Sequence, residues 1–183
     1  MQENKFKEIE LASADVPAAQ HSEAAVRDEP EAKVDPVFGI HIGSLGFLVS
    51  TAKYCEVLDK IQVNPLPNIH PWVSGILNLR GNLVPVFDLR MLLEEGAGDN
   101  KKRRLFAVDR DDKALALWID SFPEIKDRAT LQALKELPSL PQLLQRFIIG
   151  AYEHQGQIWL DVKFEDLFKT LGRHQYETEE MAI

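Results

Sequence analysis

The stretch that most restricts the fold runs from Asn68 to Arg90, where two apolar runs flank the punctuation Arg80-Gly81-Asn82, with Trp72 at the entrance and Asp88-Leu89-Arg90 at the exit. Runs of this length, rich in β-branched residues and split by a Gly-Asn pair, read as a β-hairpin rather than a helix. Proline carries no amide hydrogen, so Pro85 cannot sit at a hydrogen-bonded ladder position. A two-residue Gly81-Asn82 turn would pair Arg80 with Leu83 and set Pro85 opposite Asn78 in a bonded pair. A four-residue loop from Arg80 to Leu83 keeps those partners but moves Pro85 to a non-bonded pair, and is the expected connection. It also lifts Arg80 clear of the strand, within reach of a partner or a carboxylate.

With 183 residues and 45% hydrophobic content, the chain fits one domain or two small barrels sharing a core. A formal charge of -8 argues against nucleic-acid binding through bulk electrostatics. The single cysteine, Cys55, permits neither an internal disulfide nor a cysteine metal cage, and suits a reducing, cytoplasmic setting. No signal-peptide pattern opens the sequence, and no run approaches the ~18 apolar residues of a membrane span.

Residues 1–36 are rich in Glu, Asp, Ala and Pro and hold few large apolar groups. Such a segment buries too little surface to offset its ordering entropy, so a mobile acidic tail is expected, with a transient helix over Lys5–Ala12. From Val37 onward the pattern is one of short strands. Phe38, Ile40 and Ile42 alternate with smaller residues, Gly43-Ser44-Leu45-Gly46 turns the chain, and Phe47-Leu48-Val49 completes a hairpin. One helical turn is expected over Ser50–Tyr54, extended structure over Glu56–Val63, and a short helix over Leu89–Leu93. The polar connector from Gly96 to Lys102 is the expected join between two halves.

Leu105–Val108 and Ala114–Ile119 make a second hairpin around Asp109–Asp112, and Phe147–Tyr152 with Gln157–Asp161 a third around His154-Gln155-Gly156. Leucines at helical spacing between Thr130 and Arg146, interrupted by Pro138 and Pro141, predict two short helices over a barrel mouth. Phe164–Leu171 reads as a closing amphipathic helix. Turn signals at intervals of about ten residues point to small antiparallel barrels.

No catalytic constellation is visible. His21, His41, His70, His154 and His174 are scattered, without the three- or four-residue spacing of a metal pair on a helix. Cys55 lies in an apolar stretch and reads as an inert buried thiol. The acidic turn Asp109–Asp112 lacks the glycine and distal glutamate of a calcium loop. The one basic run, Lys101–Arg104, reads as a solvated linker entering a strand, and Trp72, Trp118 and Trp159 as core anchors.

The run Pro71–Arg90, with Trp72-Val73-Ser74-Gly75 at its start, Arg80-Gly81-Asn82 at its centre and Phe87-Asp88-Leu89-Arg90 at its end, closely resembles the signature of CheW-like domains, the coupling modules of bacterial chemosensory systems. The similarity extends more weakly over Phe38–Leu171. The leucine- and proline-rich insertion before Phe147 and the segment Phe147–Tyr152 are most similar to the PilI branch, which serves type IV pilus twitching motility.

The resemblance implies a mainly β fold of two SH3-like five-stranded antiparallel barrels sharing a hydrophobic interface, with short peripheral helices and a C-terminal helix. The implied order is a disordered tail over 1–36, the CheW-like domain over 37–171, and a frayed C-terminus over 172–183. The first barrel is placed mainly in 44–95 and the second mainly in 103–171, with strand 37–43 joining either. It further implies a non-catalytic adaptor without cofactor or metal, cytoplasmic and recruited to membrane-associated receptor arrays. Its implied partners are the regulatory domain of a CheA-type histidine kinase, bound by pairing barrel ends, and the cytoplasmic tip of a methyl-accepting chemoreceptor, bound in a groove between barrels. Neither nucleic acid nor direct membrane insertion is implied.

Carried over by position, the receptor-contact candidates are Tyr54, Glu56, Val57, Gly75, Asn78 and Arg80. An apolar groove with a few polar groups to set register suits an amphipathic helical hairpin: Tyr54 and Val57 would supply the first, Glu56 and Arg80 the second. Arg80 has a competing assignment as a structural partner of Asp88 or Glu56. Two other functions stand beside this one: a flagellar chemotaxis coupling protein of the same family, and a small-barrel single-strand binder using Lys101–Arg104.

Overall fold

The central hairpin is present, in a register two residues away from the expected one. The structure, a computed structural model, describes residues 34–59, 62–96, 98–99 and 102–180, with side chains as far as 173. Val73–Leu79 (β4) and Asn82–Phe87 (β5) pair with Leu79 opposite Asn82 and Ile76 opposite Pro85, so the turn is Arg80-Gly81. Both turn residues have positive φ, 55° and 92°, the pattern of a type I′ turn whose twist matches that of paired strands. The Asn78 side chain secures it, its Oδ1 accepting from the Gly81 amide at 2.8 Å. The proline constraint is still met. Ile76 directs its own N–H and C=O outward to Asn64, at 2.9 and 2.8 Å, which makes the Ile76–Pro85 pair a non-bonded one.

The other strands are Pro36–Ile42 (β1), Leu45–Ser50 (β2), Cys55–Leu58 (β3), Arg104–Val108 (β6), Leu115–Ile119 (β7), Glu124–Asp127 (β8), Gln132–Ala133 (β9), Ile148–His154 (β10) and Gln157–Val162 (β11). They form two sheets, ordered β8-β1-β2-β11-β10-β9 and β3-β6-β7-β5-β4. The six strands of the first amount to five chain passes, because β8 and β9 are halves of one segment interrupted by the 3-10 turn Arg128–Thr130. One half pairs with β1 and the other with β10, which closes the sheet on itself. The second sheet closes in the same way. β3 pairs with β6, and the chain that follows reaches β4 through the bridge from Asn64 to Ile76.

The two barrels repeat one plan. In each, two antiparallel hairpins are joined by a parallel pair, β2 with β11 in one and β5 with β7 in the other. The join does not fall at 96–102, however. β6 and β7 complete the barrel begun by β3–β5, and β1 and β2 belong with β8–β11, so residues 55–119 form one barrel nested within the other. Pairing partners more than a hundred positions apart, such as Gly46 and Trp159, decide this arrangement.

Inward-facing residues of both barrels meet in one core, including Ile40, Phe47, Phe87, Phe106, Leu117 and Leu160. Helix α3, Phe164–Glu180, lies over it with Leu167 and Leu171 fully buried. Phe164 packs on Phe47 of β2 and Phe168 on Phe87 of β5, ring centroids 6.2 and 4.6 Å apart, so one helix face binds both barrels together. Each such side chain contributes roughly 1.5–3 kcal/mol by leaving water. The helix continues past the expected end at Leu171 as far as Glu180, where fraying from 172 was expected. The acidic tail and its Lys5–Ala12 helix lie outside the described residues.

Helix α1, Leu89–Leu92, is where the pattern places it, capped by Asp88. Between Thr130 and Arg146 only one short helix forms, α2, Gln142–Gln145. Pro138 and Pro141 prevent a longer run, Gln132–Ala133 is taken up as β9, and Leu134 and Leu137 stay exposed. Ser50–Tyr54 is a turn held by the Lys53 amide on the Ser50 carbonyl, 3.1 Å, rather than a helical one.

Candidate functional site

Three of the six candidate residues converge at the tip of the nested barrel. Tyr54 precedes β3, Glu56 lies within it, and Arg80 is the first residue of the β4–β5 turn. The left-handed backbone at Arg80 throws its side chain back across the barrel rim. Its Nη2 donates to Glu56 Oε1 at 2.7 Å, and the Tyr54 hydroxyl donates to the other Glu56 oxygen at 3.3 Å. Hydrogen bonding to Tyr54, then to Glu56, holds the Arg80 guanidinium above its ordinary pKa. Of the two structural partners considered for Arg80, Glu56 is therefore the actual one.

The other three candidates are placed apart from this cluster. Asn78 is exposed beside it but has its amide oxygen committed to the turn. Val57 lies on the opposite face of β3 and packs against the shared core. Gly75 is buried where the barrel closes: its φ is +135°, and an added Cβ would lie 2.1 Å from the Asn64 carbonyl oxygen. A cleft of about 490 Å³ runs beside the cluster, and its lining includes Tyr54, Arg80, Asn82, Asp109 and Arg110. Its far wall is the β6–β7 turn, where Lys53 Nζ meets Asp109 at 2.8 Å and the Asp109 amide donates to the Tyr54 carbonyl at 2.8 Å.

Asp88 is occupied elsewhere, and so is its partner. Arg103 belongs to the basic run expected to be solvated, yet it is 7% exposed and bonded to Asp88, the Trp118 carbonyl and Asp120. Its neighbours diverge: Lys102 reaches toward Asp99 at 3.9 Å, while Arg104 pairs with Asp59 at 3.4 Å and stacks on Phe122. The described part of this run therefore offers no basic groove for a nucleic-acid strand.

Trp118 and Trp159 are buried core anchors, and Trp72, half-buried, packs against the shared core and stacks on His70, centroids 4.3 Å apart. His41 sits 3.2 Å from Glu124 and edge-on to Trp159. Burial, reinforced by Asp109 and opposed by Lys53, pushes the Cys55 thiol up to about 11, which suits a protonated core group rather than a nucleophile. Among the described residues, no group of three or more His, Cys, Asp or Glu could hold a metal ion. The site thus consists of a partly exposed aromatic ring, an oriented ion pair and a cleft.

Comparison with known proteins gives this geometry a context. Residues 36–171 match the family model of the CheW-like domain. The chain is 32% identical over 123 residues to protein PilI of Pseudomonas aeruginosa, covering 67% of this chain and 68% of that one. It is 26% identical over 106 residues to chemotaxis protein CheW of Helicobacter pylori, covering 57% of this chain and 64% of the relative. Among solved structures, the scaffolding protein TtCheW of Thermoanaerobacter tengcongensis superposes with a TM-score of 0.60 at 19% identity, over 74% of this chain and 93% of that one, a likeness of fold.

Proposed function

Because the chain belongs to the CheW-like domain family, we propose that it is a non-catalytic adaptor that couples chemoreceptors to a CheA-type histidine kinase, in the array controlling type IV pilus twitching motility. The observation that carries the receptor half of this reading is the Tyr54–Glu56–Arg80 cluster beside its cleft. A tip of two antiparallel helices presents apolar and polar side chains at fixed spacing. A rigid aromatic with an oriented guanidinium meets that need at little entropic cost. Asn78 joins this contact face, whereas Val57 and Gly75 act from beneath by shaping the strands that carry it. The kinase regulatory domain is proposed to pair with a barrel end. The higher identity to PilI than to the chemotaxis relative favours the pilus array over a flagellar one.

No helix among the described residues is long and apolar enough to cross a membrane; the proposed contact with the array is the receptor contact itself. The test is co-purification of the full chain with the receptor tip and kinase regulatory domain encoded beside it. Binding of both is expected, with Arg80→Glu losing the receptor, keeping the kinase and unfolding at the same temperature. If neither partner binds, the adaptor reading falls. If Arg80→Glu lowers the unfolding temperature and leaves receptor binding alone, Arg80 is a structural residue.

A further inference from the structure

The cleft beside the Tyr54–Glu56–Arg80 cluster has a second cation that none of the preceding assignments uses. Arg110 sits in the β6–β7 turn with its guanidinium carbon 3.5 Å from the centre of the Tyr54 ring. Its backbone is extended, at φ −133° and ψ 166°, between two residues of positive φ, Asp109 at 63° and Asp111 at 55°. The turn thereby presents this side chain to the cleft, with Asp109 and Asp111 of the same turn also in its lining.

The charges around it are unequally satisfied. Glu56 is engaged by Arg80 at 2.7 Å, and Asp109 by Lys53 at 2.8 Å. Lys53 also holds Glu165 at 2.8 Å, which anchors the base of the turn to the start of α3. Asp111 and Asp112 lie on the same turn, and neither comes within ion-pair distance of Arg110. Among the described residues, no carboxylate pairs with the Arg110 guanidinium. An arginine stacked on an aromatic ring keeps its in-plane N–H donors directed outward, because the ring occupies only its face.

We infer that Arg110 is a partner-binding residue: it takes a carboxylate of the docked helical segment in its guanidinium plane, while its face keeps Tyr54 upright. This rests on the adaptor reading and adds to it a second wall and an acidic determinant on the partner. The cleft then has two arginines with different duties. Arg80, neutralised by Glu56, sets the register by hydrogen bonding; Arg110, with no carboxylate partner among the described residues, supplies attraction to negative charge. An exposed residue in a preformed turn can do this without any change of fold.

The experiment titrates the full chain and its variants with a soluble fragment of the neighbouring receptor's helical tip, at low and at physiological salt. Arg110→Ala should weaken binding about tenfold at low salt and flatten its salt dependence, because a removed charge has nothing left to screen. Arg110→Lys should restore the salt dependence, and Arg110→Glu should be rescued by reversing one acidic residue of the tip to Lys. Unfolding temperatures should match the unaltered chain. Equal affinity and equal salt dependence for Arg110→Ala would overturn the inference and leave the adaptor reading standing. Weakened binding with unchanged salt dependence would also overturn it, since that is the signature of a Tyr54 support alone. No binding by the unaltered chain would overturn both.

Discussion

Arg103 holds both carboxylate oxygens of Asp88, at 2.7 and 3.0 Å, in a site where both residues are buried. The same guanidinium reaches Asp120 at 2.7 Å, and Asp120 in turn accepts from the Gly43 amide at 2.6 Å in the β1–β2 turn of the other barrel. Asp88 also caps α1 through the Arg90 amide. One buried arginine thus fixes the end of β5, the end of β7 and a turn of the neighbouring barrel.

Removing one member of such a pair strands a charge in the interior. Arg103→Met is expected to destabilise the chain by about 3–5 kcal/mol, read as a lower urea midpoint with an unchanged slope. Adding Asp88→Asn should cost less than the sum of the two single changes, because the orphaned charge is then gone.

Two glycines of the central hairpin should answer substitution differently. Gly75→Ala sets a methyl group 2.1 Å from the Asn64 carbonyl at a φ of +135°, and about 2–4 kcal/mol of lost stability is expected from strain and an opened closure. Gly81→Ala meets nothing within 4 Å at a φ of +92°, so only about 1 kcal/mol of backbone strain should appear in thermal unfolding.

Cys55 should alkylate at least tenfold more slowly in the native chain at pH 8 than in denaturant, since the reactive thiolate is scarce when its pKa rises from 9.0 to about 11. The sign of the linkage follows. Between pH 9 and 11 the unfolded thiol loses its proton while the folded one keeps it, so stability falls with rising pH in that window. Cys55→Ala should remove this part of the alkaline loss, which a pH series of unfolding midpoints would detect.

Glu56→Gln tests whether the orientation of Arg80 matters. The amide still accepts one hydrogen bond but no longer neutralises the guanidinium, so receptor-tip affinity is expected to drop three- to tenfold while the unfolding midpoint stays put. A calorimetric titration beside a thermal melt would distinguish this from a folding defect.

Hairpins, the short helix after Asp88 and the closing helix are legible in local pattern, because each rests on neighbours within a few residues. The register of β4 and β5 is not. Turn rules favour Asn rather than Arg at positive φ, yet the outward bonds of Ile76 to Asn64 secure a register whose turn places Arg80 at 55°. The nesting of the barrels depends on the parallel pair of β2 and β11, which leaves no trace in either segment alone. Arg103 is one of four adjacent cations, and only the folded chain shows that it faces inward. At the candidate site, family resemblance brought Tyr54, Glu56 and Arg80 together, but Arg110 has no motif and emerges only from its place over the Tyr54 ring.

The nesting of residues 55–119 within strands on either side also sets an order of assembly. During synthesis the inner barrel has all its strands once Ile119 has emerged, while β1 and β2 must wait, unpaired along one edge, for β11 to arrive. The outer barrel is therefore the late, long-range closure and the slower step, as expected when distant strands must meet. A chain cut short before Val162 would retain the candidate receptor-contact tip but lack the wall against which its core is sealed.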